Sequence, residues 1–221
     1  MKQLLLSLGL LLSSPLFAAS LHTSGEARLA VEADRVKIEY VVSELSDSAG
    51  AALSEVEHRV KLLLEDIKPL ITDSDRIEAS QVQLYQDSRY QDKSRQFIGY
   101  RAQRSVIVEL DDLSRMAAVL DIVKKGLVSE IRPLRYSSSK SVEYQQQVRT
   151  MAIDDSYQKA LQLANGYQSR LGDVQEIRYR SAGPVPVMRM EALAASDAPV
   201  YQGAQIIFSD KVDVTFELIS N

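Results

Sequence analysis

Two histidines, thirty acidic side chains and no cysteine are the chemical raw material of this 221-residue chain. A transition-metal site without thiolates needs histidines and carboxylates at close spacing. His22 and His58 stand 36 positions apart, with no HxH or HxxxH spacing, so no metal and no cofactor is expected. Met188 and Met190 offer two thioethers to copper(I), but in a loop they read more simply as soft hydrophobes. The acids Asp73 and Asp75, Asp111 and Asp112, and Asp154 and Asp155 lie close in sequence. Acid–base catalysis wants two carboxyls held apart across a cleft, whereas acids before a helix cap it and meet its dipole. Asp154 and Asp155, placed mid-helix, have no such explanation. No GxSxG, GxxxxGK or GxGxxG is present, and neither histidine sits where it would serve a nucleophile. No catalytic residue is assigned, and an enzyme is not expected. Tyr85, Tyr90 and Tyr100 gather around the polar stretch 86–95 and form a candidate recognition surface, since tyrosine offers a packed face and a wet end.

The elements that would position these residues follow from hydrophobic period. Gly25 to Val31 reads as a short strand. Val36, Ile38, Tyr40 and Val42 alternate with Arg35, Lys37, Glu39 and Val41, and the tight link Glu32-Ala33-Asp34 predicts a hairpin between the two. Asp47 or Ser48 caps a helix with Ala52, Leu53, Val56, Val60, Leu63, Leu64 and Ile67 inward, stopped by Pro69; His58 falls on its outer face. Ile77 to Tyr85 is a strand whose apolar phase slips near Ser80, predicting a bulge. Residues 86–95 read as a hairpin loop leading to the strand Phe97 to Leu110. Asp111 and Asp112 open a helix over Leu113 to Lys125, with Leu113, Met116, Ala117, Leu120 and Val123 inward and Gly126 at its end. Leu127 to Tyr136 is the next strand. From residue 34 to 136 the order is βαββαβ, the order of a ferredoxin-like sandwich. The fold class is therefore α+β: this core, one short strand before it, a long helix and two further strands after it, with helices packed on an antiparallel or mixed sheet.

The late helix runs from Ser141 for about thirty residues to Gly172, roughly 45 Å at 1.5 Å per residue. Its stripe is Val148, Met151, Ala152, Ala160, Leu161, Ala164, Tyr167 and Leu171. It either breaks near Asp154 or projects towards a neighbouring subunit. Val174 to Ser181 and Lys211 to Ile219 are strands, separated by a Pro- and Ala-rich segment, 183–204.

The first twenty residues have the three parts of a secretory signal peptide: Lys2, the apolar run Leu4 to Leu12, and small residues at Phe17-Ala18-Ala19-Ser20. Cleavage after Ala18 and after Ser20 both remain open. The apolar run is about half the ~20 residues that span a bilayer, so a single exported domain, residues 21–221, is expected in the periplasm. The absence of cysteine removes a lipid anchor on a modified cysteine and a disulfide framework. Residues 1–20 hold one lysine and no acid, so the mature net charge goes from −4 to −5. Mild acidity with interspersed signs argues against nucleic acid as a partner.

Several stretches together resemble the SIMPL-domain family of exported bacterial proteins, which is associated with oxidative-stress defence. They are Ser24-Gly25-Glu26-Ala27 with Val31-Glu32-Ala33-Asp34, where Ala33 replaces the usual proline, and Gly99-Tyr100-Arg101-Ala102 with Val106 and Val108. Met151-Ala152, Lys159-Ala160 and Leu163-Ala164 in the long helix and Val212-Asp213-Val214-Thr215-Phe216 complete the resemblance. It implies a periplasmic, non-enzymatic protein contributing to oxidative-stress defence as a homo-oligomeric assembly or scaffold; some members form rings or channels. The alternative is a periplasmic ligand-binding module that uses the 86–95 hairpin and its tyrosines.

Overall fold

The computed structural model describes residues 19–91, 94–180, 185–187 and 204–220. Residues 1–18, which hold most of the expected signal peptide, and Met188 and Met190 with most of 183–204, lie outside the described residues. In chain order the elements are β1 (Ala19–Glu32), β2 (Arg35–Ser46), α1 (Ala49–Ile67), β3 (Arg76–Ala79), β4 (Gln83–Gln91) and β5 (Ser94–Leu110). Then come α2 (Met116–Leu120), β6 (Glu130–Ile131), β7 (Arg135–Ser137), α3 (Ser141–Gly166), β8 (Ser169–Tyr179), β9 (Val185–Val187) and β10 (Gln205–Ser220). By contact density the chain divides into two units. The first comprises residues 19–27, 147–180 and 210–220; the second comprises 28–146, 185–187 and 204–209. β1, α3 and β10 contribute residues to both.

The second unit holds the ferredoxin-like core. Its sheet has the order β3-β5-β2-β6, with β4 also on β5 and β7 also on β2, every pair antiparallel. The alternation of β2 buries Val36, Ile38, Tyr40 and Val42 against Ala102, Val106, Val108 and Leu110 of β5. Over this face lie Ala52, Val56, Val60, Leu63 and Ile67 of α1, whose cap is Ser48. Pro69 sits in a single 3-10 turn that closes the helix.

Five expectations change in detail. β1 and β2 form no hairpin: β1 pairs with β10 in the other sheet, because a partner almost two hundred residues away outbids the local turn. The strand from Ile77 splits into β3 and β4, but the irregularity lies where the bulge is expected: between the pairs Ala79–Val106 and Gln83–Gln103 it advances one residue more than β5. Ser80 bridges the gap, its N–H donating to the Ser105 carbonyl and its hydroxyl accepting from the Ser105 N–H. The 86–95 loop is mostly strand, since β4 runs to Gln91 and β5 starts at Ser94. The helix Leu113 to Lys125 is α2 flanked by 3-10 turns at Leu113–Arg115 and Asp121–Lys125. At three residues per turn instead of 3.6 the inward phase drifts, so Val119 and Ile122 are buried and Ala117 faces out. The strand from Leu127 is likewise two short pieces, β6 and β7, either side of Pro133.

Two of the paired acids, Asp75 and Asp112, are structural. Asp112 caps the turn before α2, accepting from the Ser114 N–H at 2.9 Å. Asp75, with a fully buried side chain, accepts from the backbone N–H of Thr72 (2.7 Å) and of Asp111 (3.0 Å) and from the Arg115 guanidinium. Burial alone would raise its pKa; the Arg115 hydrogen bonds and the two backbone N–H donors outweigh that and hold it far below the usual carboxylate range. The unfolded carboxyl titrates near ~3.9, so the cluster's stabilisation is complete above that pH and is lost as pH falls through the lower folded value. Asp75→Asn is expected to cost about 3 kcal/mol at pH 7, the low end for breaking a buried pair because Arg115 keeps some water. It should also flatten the acid limb of stability below pH ~4. Urea melts at pH 7 and pH 3 check both.

Candidate functional site

The first unit is built on a stripe of small residues. Val148, Ala152, Ser156, Ala160 and Ala164 are the buried positions of α3, each four residues from the last. This places them on one narrow face. Such a face lets a helix lie close, and at Gly25 of β1 the closeness is extreme. A β-carbon there would land on the Ala152 carbonyl oxygen and 2.6 Å from the Ser156 nitrogen. The contact is tied by polar bonds. The Thr23 hydroxyl donates to the Ser156 carbonyl (3.2 Å), and the Glu26 N–H donates to the Asp155 carboxylate (2.8 Å). Lys159 donates to both the Ser24 carbonyl (3.2 Å) and Asp155 (2.7 Å). The Lys159 hydrogen bond, then the Glu26 N–H, draw the Asp155 pKa below its ordinary value. Asp155 is thus a mid-helix acid with a docking role.

α3 is one unbroken helix of 26 residues ending at Gly166, not Gly172. Gln168, at φ 56°, turns the chain back in the left-handed region, and Leu171 and Gly172 belong to β8. The stripe is narrower than expected: Met151 is 43% and Tyr167 78% exposed. Seated over β1 and β10, the helix buries Val212, Val214 and Phe216 of β10. It does not cover β8, the last strand in the order β1-β10-β8. Val174 (50% exposed) and Ile177 (61%) stand opposite Phe216 and Val214 on the helix side of the sheet, yet largely open.

The result is an open groove of about 280 Å³ between α3 and the β8–β10 pair. Ile153 and Tyr157 form its helix wall, Val174 and Ile177 its strand wall, and Phe216 part of its floor. One end is polar: Arg149 donates to the Tyr179 hydroxyl (2.8 Å), which donates to the buried Asp210 carboxylate (2.9 Å). The guanidinium also lies 5.0 Å from the centre of the Tyr179 ring. The hydrogen bond from Arg149 to Tyr179, then Asp210, raise the arginine's pKa further, so it stays charged. Ser156, the hydroxyl at the groove, donates back to the Ile153 carbonyl (2.8 Å). The groove therefore suits an apolar surface more than a reaction.

The structure separates the three tyrosines. Tyr85 pairs with Arg101 and Tyr100 with Gln86; adjacent positions on a strand face opposite ways, so Tyr85 and Tyr100 lie on opposite faces of the β4–β5 ribbon. Tyr100 packs edge-on against Phe97, with centroids 5.3 Å apart. Tyr90, 75% exposed, pairs with Arg95 near the tip. His22 bonds Thr215 at 3.0 Å within the first sheet, and His58 is exposed on α1. Among the described residues no three His, Asp or Glu side chains gather as metal ligands. Edge position leaves no local trace in the sequence; the four-residue repeat of small side chains, Ser156 included, is the one local signal of a close helix seat.

A family model described as "SIMPL: Protein of unknown function (DUF541)" matches residues 21–216. The chain belongs to the SIMPL family. The uncharacterized protein YggE of Escherichia coli (strain K12) is 30% identical over 201 residues, covering 89% of this chain and 82% of that protein. Its counterpart in Edwardsiella ictaluri (strain 93-146) is 32% identical over 204 residues, covering 89% and 85%. Among solved structures, the de novo designed protein Foldit4 aligns with 48% of this chain and 98% of its own, at 16% identity and a TM-score of 0.27. A likeness that low carries no argument. The SIMPL-like Ser24-Gly25-Glu26 is the seat of α3, which gives a short motif a physical reason. Gly25→Ala is expected to destabilise the protein by more than the ~1–3 kcal/mol typical of overpacking, since backbone must move. Gly166→Ala, with open space around the new methyl, is expected to be neutral or slightly stabilising. Denaturant midpoints of the two variants provide the comparison.

Proposed function

We propose that this SIMPL protein is exported to the periplasm and contributes to oxidative-stress defence without catalysis, as a homo-oligomer or scaffold working through protein contacts. The observation that carries the contact reading is the uncovered apolar surface of the first unit, where Ile153, Tyr157, Val174 and Ile177 are all about half exposed or more. Apolar patches of this kind on a small domain mark association surfaces more often than idle ones. The signal-like residues 1–20 support export, and the family resemblance supports the stress role. That Asp75, Asp112 and Asp155 are engaged in capping and docking supports the non-catalytic reading.

Three measurements check it. Fractionation of cells expressing the full chain is expected to place a processed form in the periplasm. Light scattering on that form is expected to give a mass of at least two copies at micromolar concentration; a strict monomer would count against the oligomer. A deletion strain is expected to lose peroxide survival and regain it with the intact gene, and unchanged survival would remove the stress role.

A further inference from the structure

The edge strand β8 reads the same in both directions around its centre. Among the described residues it pairs with β10 alone, so one row of backbone donors and acceptors faces outward. In its middle runs Asp173-Val174-Gln175-Glu176-Ile177-Arg178. Val174 lies opposite Phe216 and Ile177 opposite Val214, both on the groove side. Arg178 and Glu176 lie opposite Asp213 and Thr215, on the other side. Val174 and Ile177 are three positions apart, and in a regular strand they would face opposite ways. The register shift between Thr215 and Phe216 accommodates Gln175 as an extra residue and brings the two onto one face. The residue pattern is palindromic about the Gln175–Glu176 bond: polar, apolar, polar, then polar, apolar, polar; a second register shift, between Phe216 and Leu218, falls just before Val174. The ends carry opposite charges, Asp173 and Arg178.

We infer that β8 is the seam to a second copy of this chain, paired antiparallel about a two-fold axis between Gln175 and Glu176. In that register Val174 of each copy meets Ile177 of the other, and Asp173 meets Arg178. The residue pattern and the charges both satisfy it, as an isologous interface requires. Moving the axis to Asp173 would oppose like carboxylates, and moving it to Val174 would set Arg170 against Arg178. The bulge lies on the axis and interrupts the ladder there, a device that keeps edge strands from pairing indiscriminately. The apolar and charged pairs then select one register. The second copy also supplies what the groove lacks: its own α3 and the apolar side of its β8 lie beside the uncovered Val174 and Ile177, so two half-open grooves close into one apolar layer. This interface rests on the oligomer reading above and specifies its contact.

The cysteine-free chain makes the register directly testable. Paired residues across antiparallel strands sit about 4.5–5.5 Å apart, within disulfide reach. Position 174 of one copy is instead offset roughly 7 Å along the strand from position 174 of the other, two ladder steps, which together with the spacing between strands puts the two out of reach. Val174→Cys and Ile177→Cys proteins, each oxidised alone, are expected to stay uncrosslinked and to form a covalent dimer when mixed. As a second variant pair, Asp173→Arg is expected to weaken self-association at least tenfold, and Asp173→Arg with Arg178→Asp to restore it; circular dichroism verifies folding of each. A light-scattering oligomer that fails to crosslink in the mixture, or crosslinks equally in the single variants, overturns the seam and leaves the oligomer intact. A protein that is monomeric at every concentration overturns both. Protection of β8 only by a different exported protein would assign the edge elsewhere and overturn the seam as well.

Discussion

At Gly25 the backbone of α3 lies so near β1 that nothing larger than a hydrogen fits between them, and the arrangement of the first unit follows from that contact. A helix can approach a strand this closely only on small side chains, and Ala152, Ser156, Ala160 and Ala164 provide them. Close seating fixes the position of the helix over β1 and β10. A narrow stripe then leaves too little width to reach β8. The groove and its exposed apolar walls are therefore consequences of docking, not separate features. The polar ties of Asp155 and Lys159 to residues 24 and 26 hold the helix there without widening its footprint.

The second unit obeys different physics. Its sheet is covered over β2 and β5 by α1 and α2, whose buried positions are large aliphatics. Completeness there contrasts with the open layer of the first unit. A closed core in one unit and, among the described residues, an uncovered edge strand in the other are the features on which the proposed contact role rests. That division of labour fits a molecule that works by contact. It also explains why the carboxylates that attract notice as chemistry are found capping turns and clamping arginines.

Much of the second unit was legible in the sequence because its signals are local. The alternation of β2 and β5, the Ser48 cap, the Asp112 cap and Gly126 in the left-handed region each act within a few residues. What the sequence did not disclose depends on distant partners. Glu32-Ala33-Asp34 looks like a hairpin turn, yet β1 pairs across the chain with β10. The 86–95 segment looks like a loop because a two-stranded ribbon wet on both faces has no hydrophobic period to show. Tyr85 and Tyr100 are close in the ribbon but face opposite ways, which spacing alone does not reveal. Val174 and Ile177 read as ordinary strand residues, and only the sheet order shows that they lie on an edge the helix does not cover.

Hydrogen exchange resolved along the strands of the purified protein tests the central claim most directly. β10, paired on both sides and covered by α3, is expected to be protected at every concentration. β8 is expected to exchange quickly in dilute solution and to gain protection as concentration rises through the association range. A β8 that is as slow as β10 at the greatest dilution, or that stays fast in an assembled protein, would contradict an uncovered edge that is completed by association.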